Sequence, residues 1–234
     1  ATDKIGIILD SMAVTVVTDT FSRRVGADEA HVSPDVRQAA AIVLLARPDV
    51  STGAASSVIL WGPPGTGKTT LAQAIARSSG RRFVELSAVT AGVKDVREVL
   101  QEALTQRDLY GQSTILFLDE IHRFTKAQQD ALLPGVENRT VILVAATTEN
   151  PSFSVIAPLL SRSVLVTLKP LSDKEIREVV ESALSDERGF AGAHTLDADA
   201  MDHLVRTSGG DARRALTSLE AGAGAKSVRV DIVV

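Results

Sequence analysis

The stretch Gly62-Pro63-Pro64-Gly65-Thr66-Gly67-Lys68-Thr69 fits the pattern G-x-x-x-x-G-K-[ST]. It follows the apolar run 58–61 and precedes the helix-like run 70–76, which is where a loop between a strand and a helix would stand. Glycines let backbone N–H groups close around a polyphosphate, and the N-terminus of the following helix adds partial positive charge. The stretch therefore predicts a binding site for a nucleoside triphosphate.

Individual residues of this loop have expected tasks. Lys68 supplies a full positive charge and should reach the β and γ phosphates of ATP, while the Thr69 hydroxyl should ligate Mg²⁺. Thr70 is counted with the loop, although we expect it on the helix surface. The predicted nucleotide-binding residues of the loop are Gly62, Pro63, Pro64, Gly65, Thr66, Gly67, Lys68, Thr69 and Thr70.

A second stretch, residues 114–120, is an apolar run that ends in two adjacent carboxylates, Asp119 and Glu120. It is typical of a Walker B strand, because a buried parallel strand is continuously apolar and ligands collect at the carboxyl ends of such strands. Asp119 is expected to hold Mg²⁺ through its water shell, and Glu120 to act as the catalytic base toward the attacking water. Hydrolysis, as opposed to nucleotide binding alone, depends on Glu120.

The composition of the chain limits the classes of protein and the kinds of site that it can form. The chain has 234 residues, of which 44% are hydrophobic, so it can bury a sizeable core. It contains no cysteine, which removes disulfides and thiolate metal sites. The apolar run 5–17 is short and interrupted by Asp10, so we predict no membrane association. A net charge of -4 neither indicates nor excludes a nucleic-acid partner.

The order of the patterns predicts an α/β fold. Strand-like runs at 58–61, 83–86, 114–118, 141–146 and 164–168 alternate with helical patterns, which favours a parallel sheet flanked by helices. After Pro170 only helical patterns follow, beginning with a capping box at Ser172 and Glu175. The predicted division is an atypical N-terminal segment at 1–50, which includes a helix signal at 35–46, a P-loop core at 51–169, a helical lid at 170–223 and a tail at 224–234.

A P-loop, a Walker B strand and a small helical lid together resemble an AAA+ ATPase module. Three finer motifs, at 118–124, 146–153 and 159–163, resemble the RarA/MgsA family. This is the replication-associated recombination protein A group, which is related to clamp loaders and to the Werner-helicase-interacting ATPase of eukaryotes. The resemblance covers residues 57–220, and the motif at 146–153 is its most family-specific part.

The resemblance implies three further site residues. Thr148 matches the sensor 1 position, with Thr147 as the neighbouring candidate. Arg162 matches the arginine finger, which acts in trans on the γ-phosphate bound by an adjacent subunit. Arg213 matches sensor 2 and should contact the nucleotide from the lid of the same chain, with Arg214 as the alternative if the register differs by one residue.

His122 follows the two acids of the Walker B strand and invites a catalytic role. A histidine at the start of a helix is more often a residue that makes local hydrogen bonds or lies at an interface. We therefore expect His122 to have one of these roles.

Two departures from the family pattern matter. No segment within residues 1–57 matches R-P-x-x-L-x-x-[VIF]-[VI]-G-Q, the family segment that helps hold adenine, so adenine selectivity is unassigned. The chain also ends at Val234, soon after the lid, whereas the family carries a C-terminal region used for tetramer formation. We expect the chain to be a fragment of a longer family member.

The resemblance implies a DNA-dependent ATPase of replication-fork maintenance and recombination. It would act as an oligomer on single-stranded, gapped or forked DNA in the bacterial cytoplasm, associated with the nucleoid and in contact with single-strand-binding protein. A branch-migration motor or clamp-loader subunit is one alternative. A nucleotide-gated scaffold that does not hydrolyse ATP is another, and an intact Glu120 and Arg162 count against it.

Overall fold

The computed structural model describes residues 57–187 and 189–223. The predicted helix at 35–46 and the predicted tail at 224–234 lie outside the described residues. The whole N-terminal segment proposed at 1–50 and the start of the core at 51–56 lie outside them as well.

Five parallel strands form one sheet in the order β2-β3-β4-β1-β5. Each strand matches a strand-like run of the sequence to within a residue or two. Helices cover the sheet, so the predicted α/β fold with a parallel sheet is confirmed. The strands are β1 Ser57–Trp61, β2 Arg82–Ser87, β3 Thr114–Asp119, β4 Val141–Thr147 and β5 Ser163–Thr167.

Successive residues of the central strands face opposite sides of the sheet, and both sides are buried. Ile59, Leu116 and Leu143 pack on one side with the helix α2 Val93–Tyr110. Val58 and Phe117 pack on the other side with the helix α1 Lys68–Ser79. Burial on both faces explains why these strands are continuously apolar instead of alternating with polar residues.

Short helices connect the later strands, and the sequence analysis did not find them. Each spans five residues or fewer, which is too short to show a hydrophobic period. Local hydrogen bonds begin some of them: the Thr125 side chain accepts from the Gln128 backbone N–H, and the Asn150 side chain accepts from the Ser152 N–H. They are the 3₁₀ helix η1 Ile121–Arg123 and the helices α3 Lys126–Asp130, α4 Leu133–Glu137, α5 Pro151–Ser154 and α6 Ala157–Leu160.

After β5 the described residues contain only helices: α7 Asp173–Ser185, α8 Ala198–Ser208 and α9 Ala212–Ala223. The capping box predicted at the start of α7 is confirmed, because the Ser172 hydroxyl accepts from the Glu175 N–H and the Glu175 carboxylate accepts from the Ser172 N–H. The three helices share an apolar cluster of their own. The boundaries drawn at 169/170 and 223/224 remain predictions.

Within the described residues, no helix combines the length and the apolar character that a membrane crossing requires.

Candidate active site

The phosphate-binding stretch forms a loop between the end of β1 and the start of α1. Gly65 and Gly67 have φ angles of +71° and +81°, in the left-handed region that favours glycine. Gly62 donates its N–H to the Thr147 carbonyl at 3.2 Å, and a Cβ at Gly62 would lie 2.5 Å from the Leu168 carbonyl oxygen. The loop is therefore held tightly against the ends of β4 and β5, and a side chain at position 62 would displace it.

Lys68 lies inside the curve of this loop and is 8% exposed. Its Nζ donates to the carbonyl oxygens of Gly62 at 2.8 Å and Pro63 at 2.7 Å. Burial lowers the pKa of Lys68, and the nearby carboxylates of Asp119 and Glu120 oppose that shift. The ammonium group is therefore held where the backbone of the loop turns, close to the acids of the Walker B strand.

Thr70 differs from our expectation. It is 7% exposed, so it is buried and not on the helix surface. It still lines the cleft that the loop forms, next to Thr69. The first turn of α1 lies under the loop, with Lys68 as its first residue. Thr70 belongs to the same turn and is therefore buried as well.

Asp119 and Glu120 lie at the carboxyl end of β3, which is the second strand from one edge of the sheet. The Glu120 N–H donates to the Asp119 carboxylate at 3.1 Å. Glu120 has a φ of 58° and a ψ of 43°, a left-handed conformation that is uncommon for any residue other than glycine. This turn ends the strand abruptly and directs the chain into η1.

The two candidates for sensor 1, Thr147 and Thr148, differ in burial at the end of β4. Thr147 is fully buried, and its hydroxyl accepts from the Glu149 N–H at 3.1 Å and lies 3.1 Å from His122 Nδ1. Thr148 is exposed and lines the cleft together with the phosphate loop. Thr148 thus faces the cleft, whereas the Thr147 side chain makes its hydrogen bonds within the fold.

The lid closes the other side of the cleft through the start of α9. The Ala212 N–H donates to the Gly65 carbonyl at 3.2 Å, and the Asp211 carboxylate occupies the space that a Cβ on Gly65 would need. Asp211 also caps α9, since its Oδ1 accepts from the Arg214 N–H at 3.0 Å. The sequence analysis chose Arg213 and missed Asp211, although an aspartate directly before a helical run is an N-cap signal.

One cleft brings together residues from four separate motifs, although Gly62, Pro63 and Thr66 of the predicted loop set do not line it. The positive charges are close together, since Arg213 contributes to lowering the pKa of Lys68. Arg214 does not line this cleft, which favours Arg213 over Arg214 for the lid contact. The lining residues are Pro64, Gly65, Gly67, Lys68, Thr69, Thr70, Asp119, Glu120, Thr148 and Arg213.

Arg162 does not line this cleft. It follows α6, and its guanidinium forms an ion pair with Glu137 at 2.8 Å and donates to the Pro158 carbonyl at 3.0 Å. Its side chain is 43% exposed. The sequence analysis did not find Glu137 as a partner, because the two residues are separated by the whole of β4.

The polar groups fit a magnesium nucleotide. In the described residues no three His, Cys, Asp or Glu side chains cluster as a metal site. Mg²⁺ at nucleotide sites usually needs only one or two protein ligands and takes its other ligands from phosphates and water. Thr69 and Asp119 both line the cleft and offer one hydroxyl and one carboxylate, which is a suitable donor set.

Comparisons with known proteins agree with this geometry. Residues 58–171 match the family described as "ATPase family associated with various cellular activities (AAA)". The part of the chain that forms the sheet and all of the cleft except Arg213 therefore belongs to the AAA class of P-loop ATPases, as its motifs predicted.

Within that class the chain is homologous to the replication-associated recombination protein A group, which confirms the family predicted from the sequence. It is 47% identical over 173 residues to Replication-associated recombination protein A of Escherichia coli K12. It is 55% identical over 178 residues to an uncharacterized AAA domain-containing protein of Mycobacterium tuberculosis. These alignments cover 73% and 76% of the chain but only 38% and 39% of the two relatives.

Among solved structures, the chain resembles the RuvB Holliday junction branch migration motor of Thermotoga maritima. The TM-score is 0.63 at 26% sequence identity, and the match covers 80% of this chain and 60% of the RuvB chain. The fold of the sheet and the following helices is thus that of an AAA+ module.

Proposed function

We propose that the chain is the ATPase module of a DNA-dependent AAA+ enzyme of replication-associated recombination, which hydrolyses ATP to ADP and phosphate within an oligomer. The observation that carries the proposal is the cleft in which Lys68, Glu120, Thr148 and Arg213 meet. The relatives named for replication-associated recombination support the biological context. The chain spans about two fifths of these relatives, so oligomer size, DNA preference and partners are proposals.

Each residue of the cleft has a distinct task in this proposal. The phosphate loop and Lys68 bind the polyphosphate, and Arg213 contacts it from the lid. Thr148 orients the attacking water, and Glu120 accepts its proton. Mg²⁺, held by Thr69 and Asp119, would neutralise charge on the phosphate oxygens.

We propose that Arg162 acts in trans on the nucleotide of an adjacent subunit. Two features of the described residues support this role: Arg162 lies outside its own cleft, and its ion pair with Glu137 is solvent-exposed. Exposed ion pairs contribute only about 0–1 kcal/mol, so Glu137 can release the guanidinium at little cost. An arginine finger in trans contributes on the order of 10³- to 10⁵-fold to turnover.

The first experiment measures ATP turnover by the chain with and without gapped and forked duplex DNA, with Glu120→Gln as the control. Self-association is measured under the same conditions by analytical ultracentrifugation. DNA-stimulated turnover that disappears in Glu120→Gln supports the proposal. Tight ATP binding without turnover by a self-associated chain in the presence of DNA contradicts it and favours the nucleotide-gated scaffold.

A mixing experiment tests the arginine finger separately. Lys68→Ala removes nucleotide binding in one subunit, and Arg162→Ala removes the finger in another. In mixed oligomers a Lys68→Ala subunit can still supply Arg162 to an intact nucleotide site, so the mixture should exceed the summed activity of its components. The matched control mixes Arg162→Ala with the double variant, which supplies neither group. Equal activity in both mixtures would refute action in trans.

The likeness to RuvB keeps a branch-migration motor as a second candidate. A branch-migration motor would convert synthetic four-way junctions to duplex products in an ATP-dependent manner. An enzyme that acts on gapped or forked DNA would be stimulated by those structures without converting the junction to duplex products.

We also expect the protein to act in the bacterial cytoplasm at the nucleoid and to bind single-strand-binding protein there. Co-localisation with replication forks in cells would test that expectation.

A further inference from the structure

The catalytic glutamate of the proposed function has an unusual backbone. Glu120 adopts a left-handed conformation between β3 and η1. Glycine adopts this conformation readily, but L-residues other than asparagine and aspartate rarely do, because the side chain crowds its own backbone. Two hydrogen bonds hold the turn: the Glu120 N–H donates to Asp119 Oδ1, and the Arg123 N–H donates to the Glu120 carbonyl at 2.8 Å. The turn fixes the Cα of Glu120 but leaves its side-chain torsions free.

A buried histidine holds the side chain itself. His122 lies on η1, its side chain is 4% exposed, and its Nε2 lies 3.1 Å from Glu120 Oε2. Its Nδ1 lies 3.1 Å from the hydroxyl of Thr147 at the end of β4. A second carboxylate, that of the exposed Glu149, lies 4.0 Å from Nε2. One imidazole thus joins the end of β3 to the end of β4.

The partners of the ring determine where its proton lies. Nε2 faces a carboxylate oxygen, which only accepts, so Nε2 must carry a proton and donate to Glu120. The Thr147 hydroxyl can donate to Nδ1, or it can donate to the Glu149 carbonyl at 3.3 Å and accept from a protonated Nδ1. The remaining tautomer, with only Nδ1 protonated, would set a lone pair against the carboxylate. In both allowed states, therefore, His122 donates to Glu120 Oε2.

We propose that His122 is the positioning residue of Glu120, anchoring the carboxylate through Oε2 so that Oε1 remains available to the attacking water. This inference rests on the proposed ATPase function. It differs from a catalytic role for the histidine, because His122 does not line the cleft. It also goes beyond the local hydrogen-bonding role expected from the sequence, since the bond is made to the proposed base itself.

The second contact of the His122 ring, to Thr147, connects Glu120 with the end of β4. Thr147 is the last residue of β4, and it directly precedes Thr148, which lines the cleft. His122 therefore connects the base to the strand that carries the proposed sensor. A shift of Thr148 on contact with the γ-phosphate would pass through Thr147 and the imidazole to Glu120. One side chain thus contacts both the proposed base and the residue next to the proposed sensor.

Two substitutions at position 122 separate the two contacts. Asparagine places its amide near the position of Nδ1 and keeps a partner for Thr147, but it cannot reach Glu120. Glutamine reaches the position of Nε2 and restores a donor to Glu120. His122→Asn should lower kcat by about 10- to 100-fold, because small displacements of a reacting group cost about this much. His122→Gln should recover most of that loss, and both variants should bind the ATP analogue AMP-PNP within about threefold of the parent chain.

The double variant with Glu120→Gln supplies the decisive control. If His122 acts through the Glu120 carboxylate, adding His122→Asn to Glu120→Gln should lower the single-turnover rate no further. An equal loss in both backgrounds would overturn the proposal, and so would normal kcat in His122→Asn. His194→Asn changes an exposed histidine of the lid and should leave the rate unchanged.

A measurement without turnover separates this proposal from the proposed function. The chain has four histidines, so ¹⁵N-histidine spectra of the parent and of His122→Asn identify the His122 signals by difference. We expect a protonated Nε2 whose signal changes in Glu120→Ala. An unprotonated Nε2, or no response to Glu120→Ala, would overturn the positioning role even if ATP is hydrolysed. Absence of turnover with the expected spectrum would instead count against the ATPase function alone.

Discussion

Replacing Asp211 by alanine should loosen the lid at the point where it meets the phosphate loop. The Asp211 carboxylate caps α9 through the Arg214 N–H and lies against Gly65, while the adjacent Ala212 N–H donates to the Gly65 carbonyl. Loss of an N-cap costs about 1 kcal/mol. For a chain of this size that corresponds to a fall in Tm of roughly 2–4 °C.

The same free energy limits the effect on nucleotide binding. Arg213 lies in the first turn of α9, so fraying of that turn displaces it from the cleft. A loss of about 1 kcal/mol weakens nucleotide affinity by no more than about fivefold. Thermal unfolding followed by circular dichroism and titration with a fluorescent ATP analogue measure the two effects.

Asp211→Asn is the matched control, because asparagine is an equally good N-cap that lacks the charge. It should keep the Tm of the parent chain. If Asp211→Asn lowers the Tm as much as Asp211→Ala does, the carboxylate acts by its charge and the capping argument is wrong. If Asp211→Ala is as stable as the parent chain, the lid does not depend on this cap.

Three further predictions concern single side chains. Burial lowers the pKa of Lys68, so the unfolded chain holds that proton more tightly, and the free energy of unfolding rises with pH between the folded-state and the unfolded-state pKa of this lysine. Lys68→Met should remove that rise in thermal unfolding measured at a series of pH values, and it should abolish ATP binding in calorimetry. Thr147→Val removes the hydroxyl that bonds the part-buried Glu149 N–H and lies against His122 Nδ1, and it should cost about 1–3 kcal/mol in urea unfolding. Thr148→Val should stay within about 0.5 kcal/mol of the parent chain and should lower kcat, and the reverse ranking would contradict the sensor assignment. Glu137→Gln removes only an exposed ion pair and should change stability by less than about 1 kcal/mol without lowering turnover, so a large loss of turnover would show that the pair with Arg162 aids catalysis.

Several elements of the site followed from local sequence. The phosphate loop was predictable because its glycines, lysine and threonine act within eight residues of one another. The Walker B strand was predictable because a strand buried on both faces is continuously apolar and ends at its first charged residue. The capping box at Ser172 was predictable because its two hydrogen bonds join residues only three positions apart.

Other features could not be predicted, because they join distant parts of the chain. The sequence does not show that β4 ends at Thr147, and this end leaves Thr147 buried in the sheet and Thr148 exposed beyond it. The link from His122 to Thr147 spans 25 positions and exists because β3 and β4 are neighbours in the sheet. Thr70 was expected on the helix surface, and it is buried because α1 packs its first turn under the loop.

The sequence by itself determined the chemical groups of this protein and the short segments that carry them, because backbone preferences and capping bonds act over a few residues. The tertiary structure alone decided which of those groups meet: Asp211 against Gly65, Glu137 with Arg162, and His122 between Glu120 and Thr147. These pairs depend on strand order and helix packing, which are settled by burial of the whole core and not by any one segment.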